Sequence, residues 1–152
     1  KEKETLLEDN TLEAVFSLPG EMFYPGASVC ACCMLFTLGQ PHVKADGTSR
    51  YTFFGYCKED GFKKKKNLGR VEQFDANGES KWRKIEKEWL SLFDQKIAID
   101  GKSSIAIVDG ESEWLCEAYM KTDYNKLTEA DFQQTLNNYL AYMIKEGKIY
   151  ES

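Results

Sequence analysis

The sequence predicts an α/β fold in which a mixed sheet contains an antiparallel strand pair and amphipathic helices pack against that sheet. Three observations lead to this prediction. Two apolar runs, residues 12–18 and 29–38, are joined by a connector rich in turn-forming residues. A helical stretch leads directly into the first run, which is the usual order in an α/β layer. A later stretch spaces its large apolar residues by three and four positions, as an amphipathic helix does.

The first elements are a helix over Lys1–Asn10 and a strand over Leu12–Leu18. Pro19 and Gly20 end this strand, because proline cannot donate to a sheet ladder and glycine turns freely. Lys1 lies inside a predicted helix and is not a methionine, so we expect the chain to be a piece of a longer protein.

The second apolar run, Val29–Leu38, carries apolar side chains at both odd and even positions. Such a run is typical of a strand that is covered on both faces, and a buried helix is the alternative. We favour the strand, because the run has only ten residues and Gly39 closes it.

The rest of the chain predicts further strands, a loop region and two amphipathic helices. Gly55, inside the third strand, predicts a bulge or a close backbone approach. Thr128 is the expected N-cap of the last helix, with the acidic Asp131 three residues on. In order, the elements are a strand over Tyr51–Tyr56, a loop region over Cys57–Gly78, a helix over Ser80–Gln95, a strand over Ser103–Val108, one or two helical turns over Glu113–Met120, and a helix over Glu129–Glu146.

Composition excludes several classes of protein. With 152 residues the chain has the length of one domain, and no window approaches the roughly 18 apolar residues of a membrane span. The net charge of −5 argues against a stand-alone DNA-binding protein, which needs many phosphate contacts. Only residues 58–90 are basic, with ten lysines and arginines against seven acidic residues.

The cysteines and the single histidine indicate neither a metal site nor a catalytic triad. Five cysteines is an odd number, and three of them crowd one apolar run, so we expect buried thiols and no disulfide framework. Zinc binding is the alternative, but the spacing Cys30, Cys32, Cys33 lacks a second cluster. His42 would have to serve as the base of any triad from a turn beside Pro41.

Two groups of side chains are candidates for ligand contact. The loop region contains Lys63, Lys64, Lys65, Lys66 and Arg70, which either form a solvated turn or contact phosphates. The connector carries Phe23 and Tyr24 between turn formers, an unusual position for two bulky aromatic residues. The chain has no Gly-x-Gly-x-x-Gly, Walker or His-Glu-x-x-His motif, and we assign no catalytic and no metal-binding residue.

Several stretches, in this order, resemble N6-adenine DNA methyltransferases, in particular the modification subunit of type I restriction systems. The resemblance spans nearly the whole chain and rests on order and spacing, since no single motif is diagnostic. The stretches are Leu12–Pro19, Glu21–Gly26, the apolar run after it, Phe53–Tyr56, Asp60–Phe62, Gly69–Val71, and the segment from Glu113 to Tyr124.

The resemblance implies a mechanism in which the enzyme flips an adenine out of the duplex and methylates it from S-adenosylmethionine. The family's Asn-Pro-Pro-Tyr motif and glycine-rich donor loop are absent, so we expect both upstream of Lys1 and expect this chain alone to be inactive, with no cofactor of its own. Phe23 matches the family's aromatic that stacks on the flipped base, and Tyr24 is the alternative. Either ring could instead fill the edge of a core.

The resemblance also implies partners and an organisation. Residues 1–102 would form the C-terminal part of the methyltransferase-like domain, containing its last strands, and residues 103–152 a helical tail packed on the same unit. DNA and the specificity and restriction subunits would be partners, in the cytoplasm and without a membrane. A strand pair cut from a larger sheet would expose an edge, so we also expect a dimer of the fragment. A non-catalytic nucleic-acid-binding or protein-interaction module is the alternative.

Overall fold

The structure, a computed structural model, describes residues 1–27, 29–122 and 127–147. The chain divides into two compact units, Lys1–Lys121 and Thr122–Ser152. Tyr124, the end of the last resembling segment, lies outside the described residues. The division expected at residues 102 and 103 concerns a methyltransferase-like domain and its tail, and it stays a prediction.

The described residues form a mixed α/β fold with a four-stranded sheet, a separate antiparallel strand pair and three α-helices, which confirms the predicted fold class. A short 3-10 turn at Cys116–Ala118 follows the last strand. The elements are α1 (Glu2–Asp9), β1 (Thr11–Ser17), β2 (Cys32–Thr37), β3 (Tyr51–Tyr56), β4 (Phe62–Lys65), β5 (Gly69–Glu72), α2 (Lys81–Gln95), β6 (Ser103–Ile107) and α3 (Glu129–Lys145).

The four-stranded sheet has the order β2-β1-β3-β6. β1 pairs with β2 in the antiparallel sense and with β3 in the parallel sense, and β6 is antiparallel to β3. The predicted antiparallel pair is therefore confirmed. The register of β1 shifts between Leu12 and Ala14. This irregularity brings Leu12 and Val15 into one core cluster, whereas strict alternation would place them on opposite faces.

The two central strands carry the core on both faces. On one face Leu12, Val15 and Phe54 pack with α1 and with Trp114 and Cys116 of the segment after β6. On the other face, the cluster contains Leu92 of α2, with half-buried aromatic rings packed around it. The members of this second cluster and their neighbours are Ala14, Phe53, Leu92, Phe16, Trp89, Phe93 and Ile105.

The expectation that Val29–Leu38 is covered on both faces is wrong. β2 lies at the edge of the sheet, and its first four residues, Cys32 to Leu35, are exposed. The expectation of buried thiols is also wrong. Of the five cysteines only Cys116 is buried; Cys57 is half-buried, and Cys30, Cys32 and Cys33 are exposed. An apolar run indicates a strand but does not show whether neighbouring layers reach it.

The segment Cys57–Gly78, expected to be a loop, contains a hairpin. β4 and β5 pair with Lys64 opposite Arg70, and Asn67 and Gly69 adopt positive φ in the turn. Lysine is disfavoured in strands, so local preference predicts a loop here. The hairpin forms because its turn residues tolerate the left-handed conformation and because the connector packs against it.

The two long helices begin where the sequence predicts, and Thr128 is the N-cap of the second as expected. Ser80 accepts a hydrogen bond from the N–H of Arg83 at 3.2 Å at the start of α2. At the start of α3, the carboxylate of Asp131 accepts one from the N–H of Thr128 at 2.8 Å. All of α3 is described, and none of its residues is buried, although the predicted apolar stripe is present. Its exposed members include Phe132, Leu136, Tyr139, Leu140 and Ile144.

His42 is fully buried, with 0% of its surface exposed. Neither ring nitrogen has a hydrogen-bond partner among the described residues. Its backbone ties two parts of the first unit together, since its N–H donates to Leu7 and its carbonyl accepts from Arg50. Burial lowers the pKa of the imidazole, and the charge of Arg50 lowers that pKa further. The ring is therefore a neutral, buried side chain, and among the described residues it has neither of the two hydrogen-bond partners that the base of a triad requires.

We predict that Gly55→Ala destabilises the first unit by about 1–3 kcal/mol. A Cβ at Gly55 would lie 2.6 Å from the ring of Phe16 and 2.9 Å from that of Trp89, both of which pack in the core. This confirms the close approach expected at Gly55. Gly20→Ala is the matched control, because its Cβ would meet only Cys30 at 4.0 Å. Equal urea midpoints for the two variants would contradict the prediction.

His42 also predicts a pH dependence of stability. The unfolded chain protonates this histidine near pH 6.5, and the folded chain only at lower pH, so below about pH 6.5 the unfolded state binds more protons. The free energy of unfolding should therefore fall as the pH drops from about 7 to about 5.5. His42 is the single histidine, so His42→Leu should flatten this slope in urea denaturation. An unchanged slope would exclude His42 as its source.

Candidate nucleic-acid interface

The connector between β1 and β2 folds as a series of tight turns over residues 19–27. The N–H of Met22 donates to the carbonyl of Pro19, and the N–H of Tyr24 to that of Glu21, both at 3.0 Å. Phe23 lies between them with 51% of its surface exposed. Its ring therefore faces solvent and does not fill the core.

The β4–β5 hairpin holds the connector in place. The ammonium group of Lys64 lies 3.3 Å from the carboxylate of Glu21 and 4.7 Å from the centre of the Tyr24 ring. Pro25 packs beside Gly69 in the hairpin turn. The structure thus brings together two predicted groups, the connector aromatics and the lysine run, that are about 40 residues apart in sequence. Tyr24 is covered by a lysine, and Phe23 is not.

Arg70 is engaged within the protein. Its guanidinium group donates to both carboxylate oxygens of Asp60 at 2.6 Å, and the two side chains are only 13% and 6% exposed. The group also lies 5.4 Å from the ring of Phe62 and 3.6 Å from the sulfur of Met22. Arg70 therefore links the loop before β4 to the connector. Contact between Arg70 and nucleic acid stays a prediction.

The other lysines of the run are exposed. Lys63, Lys65 and Lys66 form no ion pair within the described part of the chain, whereas Lys64 is paired with Glu21. The run therefore separates into one anchoring lysine and three that are free to bind an anion.

A second polar cluster lies where β1 and β3 end. The hydroxyl of Ser17 donates to Glu117 at 2.9 Å, and Lys58 donates to the same carboxylate at 3.1 Å. Burial acts to lower the pKa of Lys58, but the bond to Glu117 and the neighbouring Tyr56 outweigh it, so the net shift is upward. Burial, with Asp60 nearby, raises the pKa of the Cys57 thiol to about 11, which keeps it protonated at neutral pH.

The described residues contain no group of three or more histidine, cysteine, aspartate or glutamate side chains that could hold a metal ion. None of the described helices is long and apolar enough to cross a membrane.

Asp60 and Glu21 are the site residues that the sequence analysis did not identify. Both are acidic partners of predicted basic residues, namely Arg70 and Lys64. A sequence signal exists for Asp60, which precedes Gly61 at the start of the hairpin and caps it by accepting from the N–H of Phe62 at 3.1 Å. No local signal exists for Glu21, because its partner is 43 residues away.

No protein-family model matches the chain, and no curated protein matches it. A solved protein assigned as a modification subunit of a type I restriction enzyme from Vibrio vulnificus YJ016 is similar over 88% of this chain, with 13% identity and a TM-score of 0.43. A chain from a study of complex assembly and conformational transition in the type I restriction–modification system is similar over 98% of it, with 16% identity and a TM-score of 0.42. The chain spans 24% and 31% of the lengths of these two proteins.

The ion pair between Arg70 and Asp60 gives a prediction about stability. Asp60→Ala or Arg70→Ala leaves the other charge largely buried without its partner. Removing one partner of a buried ion pair lowers the free energy of unfolding by about 3–5 kcal/mol. The double variant should lose less than the sum of the two single losses, because no unpaired charge remains. Urea denaturation of the four proteins measures this coupling. Additive losses would show that the pair does not act as a unit.

Proposed function

We propose that this chain is part of the modification subunit of a type I restriction–modification system, a DNA methyltransferase that modifies adenine at N6. The proposal is supported by the order of the resembling stretches, from Leu12–Pro19 through the connector to Gly69–Val71. Within that subunit the chain contributes contacts to the target base and to DNA. The full-length subunit performs the chemistry.

The observation that carries the proposal is the exposure of Phe23. The ring lies on the connector, at the position that the resemblance assigns to the aromatic that stacks on the flipped base, and its exposure leaves it accessible to a ligand. Stacking of a base on an aromatic ring contributes about 1–3 kcal/mol and tolerates any base, since every base has a π-face. Tyr24 is the weaker candidate, because Lys64 already lies over its ring.

The methyl donor S-adenosylmethionine belongs to the rest of the full-length subunit. The described residues do not fit it, because β1 continues into Pro19 and the bulky connector instead of a glycine-rich loop. We therefore assign this chain no catalytic residue and no cofactor of its own. Its partners would be DNA and the specificity and restriction subunits, in the cytoplasm. The exposed apolar stripe of α3 supports a role for that helix in subunit docking.

A second candidate function is a nucleic-acid-binding module without catalysis. It is favoured by the exposed and unpaired Lys63, Lys65 and Lys66 beside an exposed aromatic ring. This function requires the chain alone to bind DNA tightly and with a steep dependence on salt. The methyltransferase proposal instead requires tight binding only when the upstream part is present.

We predict that Phe23→Ala in the full-length subunit lowers methyl transfer to DNA and leaves the fold intact, because the variant removes a stacking surface and no core contact. A stacking loss of about 1–3 kcal/mol corresponds to roughly a 5- to 150-fold reduction in kcat/KM. Phe23→Trp should retain activity. The measurement is the rate of labelled methyl transfer at a series of DNA concentrations up to saturation, with the donor saturating, which gives kcat/KM and kcat.

Phe74→Ala is the matched control, because Phe74 is 57% exposed and lies outside the connector. It should transfer methyl groups at the wild-type rate. Equal kcat/KM and kcat for wild type and Phe23→Ala would exclude the stacking role. Full DNA affinity of the chain alone, together with equal rates, would favour the non-catalytic module.

A further inference from the structure

A polar pocket of about 470 Å³ lies between the connector, the loop before β4 and the first turn of α2. Its volume is within the range of roughly 300–1,000 Å³ that is typical of small-ligand sites. Charged side chains dominate its lining. Four of them are basic and three are acidic: Lys58, Lys63, Arg70 and Lys81, with Glu21, Glu59 and Asp60.

Most of these charges are already compensated. Asp60 is paired with Arg70. Glu21 and Lys58 each have a partner outside the pocket lining, at 3.3 Å and 3.1 Å respectively. Lys63, Lys81 and Glu59 form no ion pair with any residue that the structure describes. The pocket therefore has an uncompensated charge of one positive unit.

We infer that this pocket binds one phosphate group of a nucleic-acid strand, with Lys63 and Lys81 as its cationic contacts. Lysine ammonium groups bind phosphate oxygens as point charges, and one phosphodiester carries the single negative charge that the pocket leaves uncompensated. The paired Arg70 forms part of the wall and does not bind the phosphate directly. Glu59 opposes binding.

The inference rests on the proposed function, because it supplies the backbone contact for the strand whose base stacks on Phe23. Pro19, Gly20 and Glu21 of the connector line the pocket, and Phe23 follows two residues after Glu21. Two residues span at most about 7 Å, so the backbone of Phe23 lies close to the part of the pocket that Glu21 lines. The connector thus carries the exposed ring and also part of the pocket lining.

The experiment is a titration of the isotope-labelled chain with inorganic phosphate and, separately, with the dinucleotide TpT, followed by the amide NMR signals of Gly20, Gly61 and Lys81. Sodium chloride at equal ionic strength is the reference. We expect these three signals to shift together and to saturate. Lys81→Ala should weaken binding about tenfold, as loss of one charge-assisted contact does. Glu59→Gln should strengthen it.

Lys87→Ala is the matched control, because it removes one lysine charge from the same helix as Lys81→Ala does. Lys87 is exposed and lies outside the pocket. It should leave the affinity unchanged. Absence of saturation in the wild type, or equal weakening by Lys81→Ala and Lys87→Ala, would overturn the inference. Those results would not change the prediction that Phe23→Ala lowers methyl transfer. Conversely, methyl transfer that Phe23→Ala leaves unchanged, together with saturable phosphate binding, would overturn only the proposed function.

Discussion

The packing of the connector on the β4–β5 hairpin determines the geometry of the whole candidate site. Lys64 binds Glu21 and covers Tyr24, and Arg70, held by Asp60, reaches Met22. A surface loop is usually more mobile than the elements it connects, and contacts with another element restrict that motion. Because the hairpin fixes the connector through its neighbours, Phe23 can remain exposed and still be positioned. Exposure and order together are what a base-stacking side chain requires.

The sequence predicted the elements whose signal is local. Apolar periodicity located α2 and α3, the cap at Thr128 located the start of α3, and Pro19-Gly20 located the end of β1 to within a few residues. It did not predict that the apolar run of β2 lies at an exposed edge, because burial depends on which layers cover a strand. The hairpin was missed for a related reason. Its lysines disfavour a strand locally, and its stability comes from contacts with residues about 40 positions away.

The candidate site itself was predicted in part. Phe23 and Tyr24 were identified as misplaced aromatics, and the structure separates them into one open ring and one covered ring. The lysine run was identified as one basic patch, whereas its members have different environments. The sequence could not show which lysine is paired, because ion pairing depends on contacts with residues that are distant in sequence. Both proposed functions use the same surface, and they differ in whether the rest of a methyltransferase is needed for it to act.

Photocrosslinking tests most directly the claim that a base stacks on Phe23. The full-length subunit would be irradiated with DNA in which 5-iodouracil replaces the adenine that the enzyme methylates, and the crosslinked peptide would be identified by mass spectrometry. The expected result is a crosslink to the connector at Phe23, which is lost in Phe23→Ala and retained in Phe74→Ala. A crosslink that forms elsewhere in the protein and persists in Phe23→Ala would contradict it.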